Sequence, residues 1–424
     1  MDNPGAGFRG IQMKVRFLIF SLMMATPAVH ALENTAAPGL LATALARPLL
    51  DQDPGVAAAR AGLDVARQEA GILDQSPYEW TAKALTQRRT VAAGGRYGEW
   101  NVGIERGVRL PAKGAADRRL GEATVGEARA RYGESVHDAA RGLMTLWLDW
   151  LAAEQAQVLA QASLTGVQEN LAAVDKRLRA GDASKLDTNL ARAELAEQRR
   201  LANDAKTQAS AAWARLSARF PGLVRDRVPL PLPLALDQND DFWRQRILSE
   251  SEELKIVAAQ VAKAEAQAER ERASRIPDPT LGVYTASEVG GRERISGITI
   301  SIPLPGGLRA ARSAKAVAAQ EVAAHAQELK RRQLDTEIAG ELATARGAYE
   351  SMQIAAEGAK GMQENANLTQ RAYSLGEGDL QSLLLARRQA SAAANSALQA
   401  QLVALKAWYG LLVDAHLVWD LERD

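Results

Sequence analysis

Residues 291–320 read GRERISGITISIPLPGGLRAARSAKAVAAQ. Ile298, Ile300 and Ile302 alternate with Thr299 and Ser301, the period-two pattern of a strand with one apolar and one polar face. Pro303 and Pro305 withdraw backbone donors, so a ladder cannot continue past them. Gly306 and Gly307 supply a corner, and from Leu308 to the end of the chain no proline occurs. A strand therefore runs through a proline–glycine corner into a long alanine-rich helix.

The same event occurs earlier, in WNVGIERGVRLPAKGAADRRLGEA from Trp100 to Ala123. Pro111 and Pro305 lie about 194 residues apart, and Gly181 and Gly376, each in a Gly-Asp or Gly-Glu turn, about 195 apart. Two landmarks with one offset mark a duplicated unit, and that duplication takes precedence over a domain count from length.

Composition narrows the function classes. Fifty-two basic and 51 acidic residues nearly cancel, so no nucleic-acid partner is implied. Aromatics make up 5% and cysteine is absent, which excludes disulfides, thiolate chemistry and lipid attachment through an N-terminal cysteine. Lys14 and Arg16 precede an apolar run from Phe17 to Ala25, and Val29-His30-Ala31 has the small residues of a cleavage site. Residues 1–31 are expected to be an export signal, with Met1 or Met13 as start and a mature chain from about Leu32; a buried N-terminal helix is the alternative.

The first repeat is expected to span 32–221. It opens with a helix over about 36–73, broken near Asp53-Pro54, an N-cap with proline at the first helical position. Strands over about 78–91 and 97–110 follow. In the second, Trp100, Val102, Ile104 and Val108 share an apolar face that Arg106 interrupts. Pro111 to about Ala180 reads as one helix on the order of 100 Å long, with Val136, Ala140, Leu143, Trp147 and Trp150 at coiled-coil spacing. A returning helix reaches Phe220. Residues 222–250, with VPLPLPLALD at Val228–Asp237, are expected to be a proline-rich linker. The second repeat, 251–424, has a helix over about 251–275 and strands over about 280–289 and 294–304. A long helix follows over about 308–375, with a seam at Leu334, Ile338, Leu342, Ala345, Tyr349 and Met352, and the last helix runs to about Leu417.

Four strands of this length match tilted bilayer-spanning strands but cannot close a barrel, and an open edge is not tolerated in lipid. The physics calls for an oligomer that shares one barrel.

The order helix–hairpin–long helix–turn–helix, given twice after an export signal, resembles the TolC-type outer-membrane efflux proteins over nearly the whole mature chain. The likeness is carried by the corners at Arg109-Leu110-Pro111 and Ile302-Pro303-Leu304-Pro305-Gly306, and by the two hairpin tips. One tip holds Gly181, Ser184, Leu186, Asp187, Ala191, Arg192 and Ala193; the other holds Tyr373, Gly376 and Asp379. The resemblance implies a mainly α chain with a transmembrane β part: a homotrimer with a twelve-stranded barrel in the Gram-negative outer membrane, continued by an α-helical periplasmic tunnel. It implies a periplasmic adaptor and an inner-membrane pump of the RND type as partners, and outer-membrane lipid around the barrel. The acidic ring of some members falls here on Ser382 and Leu385, with Glu377 and Asp379 one turn earlier. The compact size, short outer loops and SIPLP corner resemble most the branch serving cobalt–zinc–cadmium resistance pumps.

On that reading Arg177, Gly181, Ser184, Leu186, Asp187, Tyr373, Gly376, Glu377 and Asp379 are candidates for the periplasmic mouth and adaptor contact; helix-turn chemistry is the alternative for each. Tyr78, Trp80, Trp100 and Tyr284 are candidates for an interfacial aromatic girdle, or for ordinary strand packing. His137, His325 and His416 stand far apart along the chain, so no metal site is expected. No cofactor motif or catalytic constellation is present, and an enzyme is not expected. The function read from the chain is a passive exit duct of a tripartite efflux system, with heavy-metal cations as a candidate cargo. The alternatives are a type I protein-secretion duct and a periplasmic coiled-coil adaptor.

Overall fold

The computed structural model describes residues 38–92, 94–226 and 228–421. The export-signal expectation for residues 1–31 lies outside them. Two short helices come first, α1 (Thr43–Asp51) and α2 (Pro54–Asp74), split at Asp53, whose carboxylate accepts from the Gly55 amide at 2.8 Å. Strands β1 (Thr81–Thr90) and β2 (Arg96–Gly107) lead into α3 (Pro111–Ala180), which returns as α4 (Lys185–Arg219). After a segment without regular structure come α5 (Asp240–Glu250) and α6 (Glu252–Ala273), then β3 (Thr280–Glu288), β4 (Glu293–Ser301), α7 (Gly307–Leu375) and α8 (Leu380–Asp414).

Residues 240–250, expected to be linker, form α5. Asn239 caps it by accepting from the Phe242 amide at 2.8 Å. Trp243 and Ile247, one turn apart, bury it in the main core. The apolar pair is too short a signal to reveal a helix beside so many prolines.

The four strands form one antiparallel sheet in the order β1-β2-β3-β4, so each hairpin comes from one repeat and β2–β3 joins the repeats. Both outer strands, β1 and β4, are open edges.

Helix α3 packs against α2, α4, α6 and α8, and α7 against α6 and α8. Gly121 lets α2 approach closely: a Cβ there would stand 3.0 Å from the Ala70 methyl. The expected seams lie inside. Val136, Ala140, Leu143, Trp147 and Trp150 are buried, as are Leu334, Ile338, Leu342, Ala345 and Met352, with Tyr349 half-buried. They meet α1, α5 and the end of α8 in one core at mid-length of the long helices. Trp147 Nε1 donates to Gly39 O at 2.7 Å and Trp419 Nε1 to Leu41 O at 2.8 Å, which pins the segment before α1 onto that core. Aromatics are few, and they are concentrated where two repeats must be held together.

Candidate functional site

Register decides which way each strand side chain points, because cross-strand partners share a face and neighbours along a strand alternate. Ala82 pairs with Ile104, Ile104 with Val283 and Val283 with Ile298; Arg106 with Leu281 and Leu281 with Ile300. Ala82, Ala84, Trp100, Val102, Ile104, Leu281, Val283, Ile298 and Ile300 therefore form one apolar face. It is bare in the protomer, with Ile298 76% and Ile300 66% exposed. The opposite face is polar. Lys83 pairs with Glu105 at 2.6 Å, and Glu99 accepts from Gln87 at 2.9 Å and from Arg89 at 2.9 Å. Strands of 9 to 12 residues carry these faces, the length of a bilayer-spanning β-strand.

The register also sorts the four candidate girdle aromatics. Trp100 lies on the apolar face. Trp80 is exposed just before β1, with the Arg106 guanidinium 5.6 Å from its ring centroid. The arginine that breaks the apolar face thus caps an aromatic at the strand end, and its Nε donates to Tyr78 O at 2.9 Å. Tyr284 belongs to the other face. It pairs with Gly103 and Gly297, and a Cβ on Gly297 would stand 2.7 Å from its ring. Tyr78 belongs to neither, because its hydroxyl donates to Asp278 at 2.7 Å. Neither tyrosine lies on the apolar face: periodicity alone cannot tell which face an aromatic takes until the neighbouring strand's register is known.

The two strand-to-helix corners differ. At the first, Pro111 opens α3 at the position where its missing N–H costs nothing. Asp278, just before β3, takes the Leu110 amide at 3.0 Å, the Lys113 ammonium at 3.0 Å and the Tyr78 hydroxyl. Arg109 donates to Leu73 O and Asp74 O, each at 2.6 Å, and to Asp117 at 3.2 Å. Asp117 also takes Arg270 at 3.0 Å. Four segments are stitched by buried charges that the sequence offered no periodic signal for. Burial alone would raise Asp278, but the hydrogen bonds from Tyr78, Leu110 and Lys113 hold it below the usual aspartate range. The second corner is bare. Pro303, Pro305 and Gly306 are exposed, and Leu304 is 91% exposed; Arg309 to Ser274 O at 2.7 Å holds the start of α7.

The hairpin tips repeat one geometry. Gly181 (φ 86°) and Gly376 (φ 80°) end α3 and α7 in the left-handed region. The Gly181 and Asp182 amides donate to Leu178 O and Arg177 O, and those of Gly376 and Glu377 to Tyr373 O and Ala372 O. Both are Schellman closures. Ser184 then caps α4 in a reciprocal box with Asp187, and Asp379 caps α8 by accepting from the Ser382 amide at 2.8 Å. These bonds lower both aspartates, chiefly through the backbone amides. Ser382 donates its hydroxyl to Asp379 at 2.7 Å.

The tips also touch each other. The Arg177 guanidinium lies 5.1 Å from the Tyr373 ring centroid, over a cluster of Val174, Ala191, Leu380, Leu383 and Leu384. Leu186 and Leu375 stay about two-thirds exposed. Behind the tips, Arg388 pairs with Glu194, whose side chain is 3% exposed. That link joins α4 to α8, and no motif had marked it.

An outer membrane efflux protein family model matches residues 45–219 and 243–412, more than half the chain and both repeats. The chain belongs to the outer membrane efflux protein family. Among solved structures this efflux protein is similar to the outer-membrane channel OprN, with 18% identity and a TM-score of 0.75 over 89% of this chain and 90% of that one. It is similar to CusC, at 17% identity and TM-score 0.69 over 88% and 93%. It is also similar to the MtrE outer membrane channel of Neisseria gonorrhoeae in its open state, at 19% identity and TM-score 0.67 over 90% of each chain. At these identities the likeness concerns the fold. No curated protein sequence matches. The fold is that of the TolC-type channels. Among the described residues no helix is long and apolar enough to cross a membrane.

The histidines depart from expectation. His137 and His416, 279 positions apart in sequence, stand with ring centroids 5.9 Å apart, because the end of α8 folds back against the middle of α3.

Proposed function

We propose that this outer-membrane efflux channel is the passive exit duct of a tripartite system, working as a homotrimer with a periplasmic adaptor and an inner-membrane RND-type pump. The observation that carries the proposal is the sheet: an apolar face, a charged face and two open edges, running into helices of 70 and 69 residues. An open edge in lipid leaves backbone donors unsatisfied. Three copies joining β4 of one to β1 of the next remove every edge and give twelve strands. The bare second corner and the exposed Leu308 and Val322 on α7 would then be covered by the neighbour.

The tips, through Arg177, Leu186, Tyr373, Glu377 and the two capped turns, form the periplasmic mouth and adaptor contact. Heavy-metal cations are the proposed cargo class, a reading that rests on the compact size, short loops and SIPLP corner. Engineered cysteine pairs, one on β1 and one on β4, test the assembly in a chain with no native thiol. Ladders ending at three copies in outer-membrane fractions are expected; a monomer without β1–β4 crosslinks overturns the reading. Loss of metal tolerance on deletion, restored by the gene, tests the cargo.

A further inference from the structure

One turn in the middle of α3 presents Glu134, His137 and Asp138, residues three and four apart on one helix face. A ligand atom from each lies within 4.8 Å of the others. They line a cavity of about 180 Å³ whose other walls come from α6, α7 and the end of α8, among them Glu253, Glu337, Glu341 and His416. The nearby cations are already engaged: Arg141 with Asp414 and Glu341, Lys255 with Glu252, Lys330 with Glu253. Among the described residues, no cationic nitrogen of Lys or Arg lies within 4.0 Å of the carboxylates of Glu134, Asp138 or Glu337. The pocket has an excess of negative charge.

A second observation points to a ligand. The His416 side chain is 3% exposed, and neither ring nitrogen has a hydrogen-bond partner. Its nearest carboxylate, Glu250, is 3.8 Å away. A buried imidazole with both nitrogens unsatisfied is costly unless something else takes a lone pair. His137 is oriented for the same task. Its Nε2 lies 3.1 Å from Asp414 Oδ1, and the same oxygen accepts from Arg141 Nε at 2.7 Å. With Nε2 turned to Asp414, Nδ1 is the nitrogen left to face a ligand, the carboxylate–histidine relation common behind metal ligands. The ring centroids stand 5.9 Å apart, a little wider than the roughly 5.2 Å that Zn–N bonds of ~2.0–2.1 Å at a tetrahedral angle give, so ligation would draw His416 inward across the cavity.

We propose that Glu134, His137, Asp138 and His416 hold a divalent transition-metal cation, with Asp414 positioning His137. Two imidazoles with two carboxylates and no thiolate match zinc in ligand type better than calcium or magnesium. The ion clamps the first repeat's long helix to the segment after α8 in the second repeat, and it neutralises the carboxylates between them. It is a structural ion bound for residence, distinct from any cargo.

The test is zinc chloride titrated calorimetrically into the chelator-stripped, detergent-purified full chain, with metal content measured after buffer exchange. About one zinc per chain and a raised thermal midpoint are expected. Glu134→Gln with Asp138→Asn, at positions outside the core, should weaken binding at least tenfold, while His325→Ala should leave it unchanged. Cobalt as a zinc surrogate should give a visible spectrum that the Gln/Asn variant lacks. No zinc retained by the native chain, or equal retention by the Gln/Asn variant, overturns the proposal. Either result leaves the duct reading standing, since binding is read on the purified chain whether or not it conducts.

Discussion

Replacing Asp278 by alanine should open the first strand-to-helix corner. Its side chain is 6% exposed and that of Lys113 7%, with 3.0 Å between carboxylate and ammonium. Removing the carboxylate leaves a buried ammonium without a counterion, which costs about 3–5 kcal/mol, and it strips the Leu110 amide of its acceptor. At about 1.4 kcal/mol per tenfold, local opening should become roughly 10²- to 4 × 10³-fold more frequent. Hydrogen exchange of peptides covering the start of α3 and the start of β3 reads this directly. Adding Lys113→Met removes the stranded charge and should restore most of the protection. Unchanged exchange in Asp278→Ala, or no recovery in the double variant, would refute the claim that this ion pair holds the corner. The pH sign follows from the depressed carboxyl. Its folded value lies below the unfolded one, so its stabilisation is full above the ordinary aspartate value of ~3.9. It is lost as pH falls from there through the folded value. Corner protection should therefore stay level from neutral pH down to about 4 and fall only below it.

Ile300→Arg places a charge on the lipid face and should cost about 2–4 kcal/mol near the midplane, lowering trimer recovered from outer membranes. Thr299→Arg, on the opposite face, should not, and equal recovery of the two would reject the assigned faces. Gly181→Pro or Gly376→Pro cannot adopt φ near +80° and removes a Schellman donor; either should spare barrel assembly and reduce crosslinking to the adaptor, and unchanged crosslinking would exclude the tips as the docking point. Arg388→Ala leaves the buried Glu194 carboxylate with only the Gln198 amide as donor and should lower stability by about 1–3 kcal/mol, seen as a lower thermal midpoint; an unchanged midpoint would refute a stabilising role for the Arg388–Glu194 pair.

What was legible in the chain was whatever repeats locally. Ile298-Thr299-Ile300 alternates because a strand has two faces, and Val136 through Trp150 steps by four and three because a long helix has one seam. Gly181 and Gly376 end the helices at one offset because only glycine takes that φ without strain. Helix α5 was missed because two apolar residues beside a proline-rich run make no period. Asp278, Lys113 and Glu194 were missed because a buried ion pair is defined by partners 165 and 194 positions away, and nothing in a charged residue's own neighbourhood announces them.

Local patterns carried the duplication and every element except α5, since periodicity, proline and glycine act over a few residues. Tertiary packing set which aromatics reach the apolar face, which corner is sealed within the protomer, and that His137 meets His416. Those are properties of register and of helix-to-helix packing, where residues hundreds of positions apart come within bonding distance, and no local pattern encodes that distance.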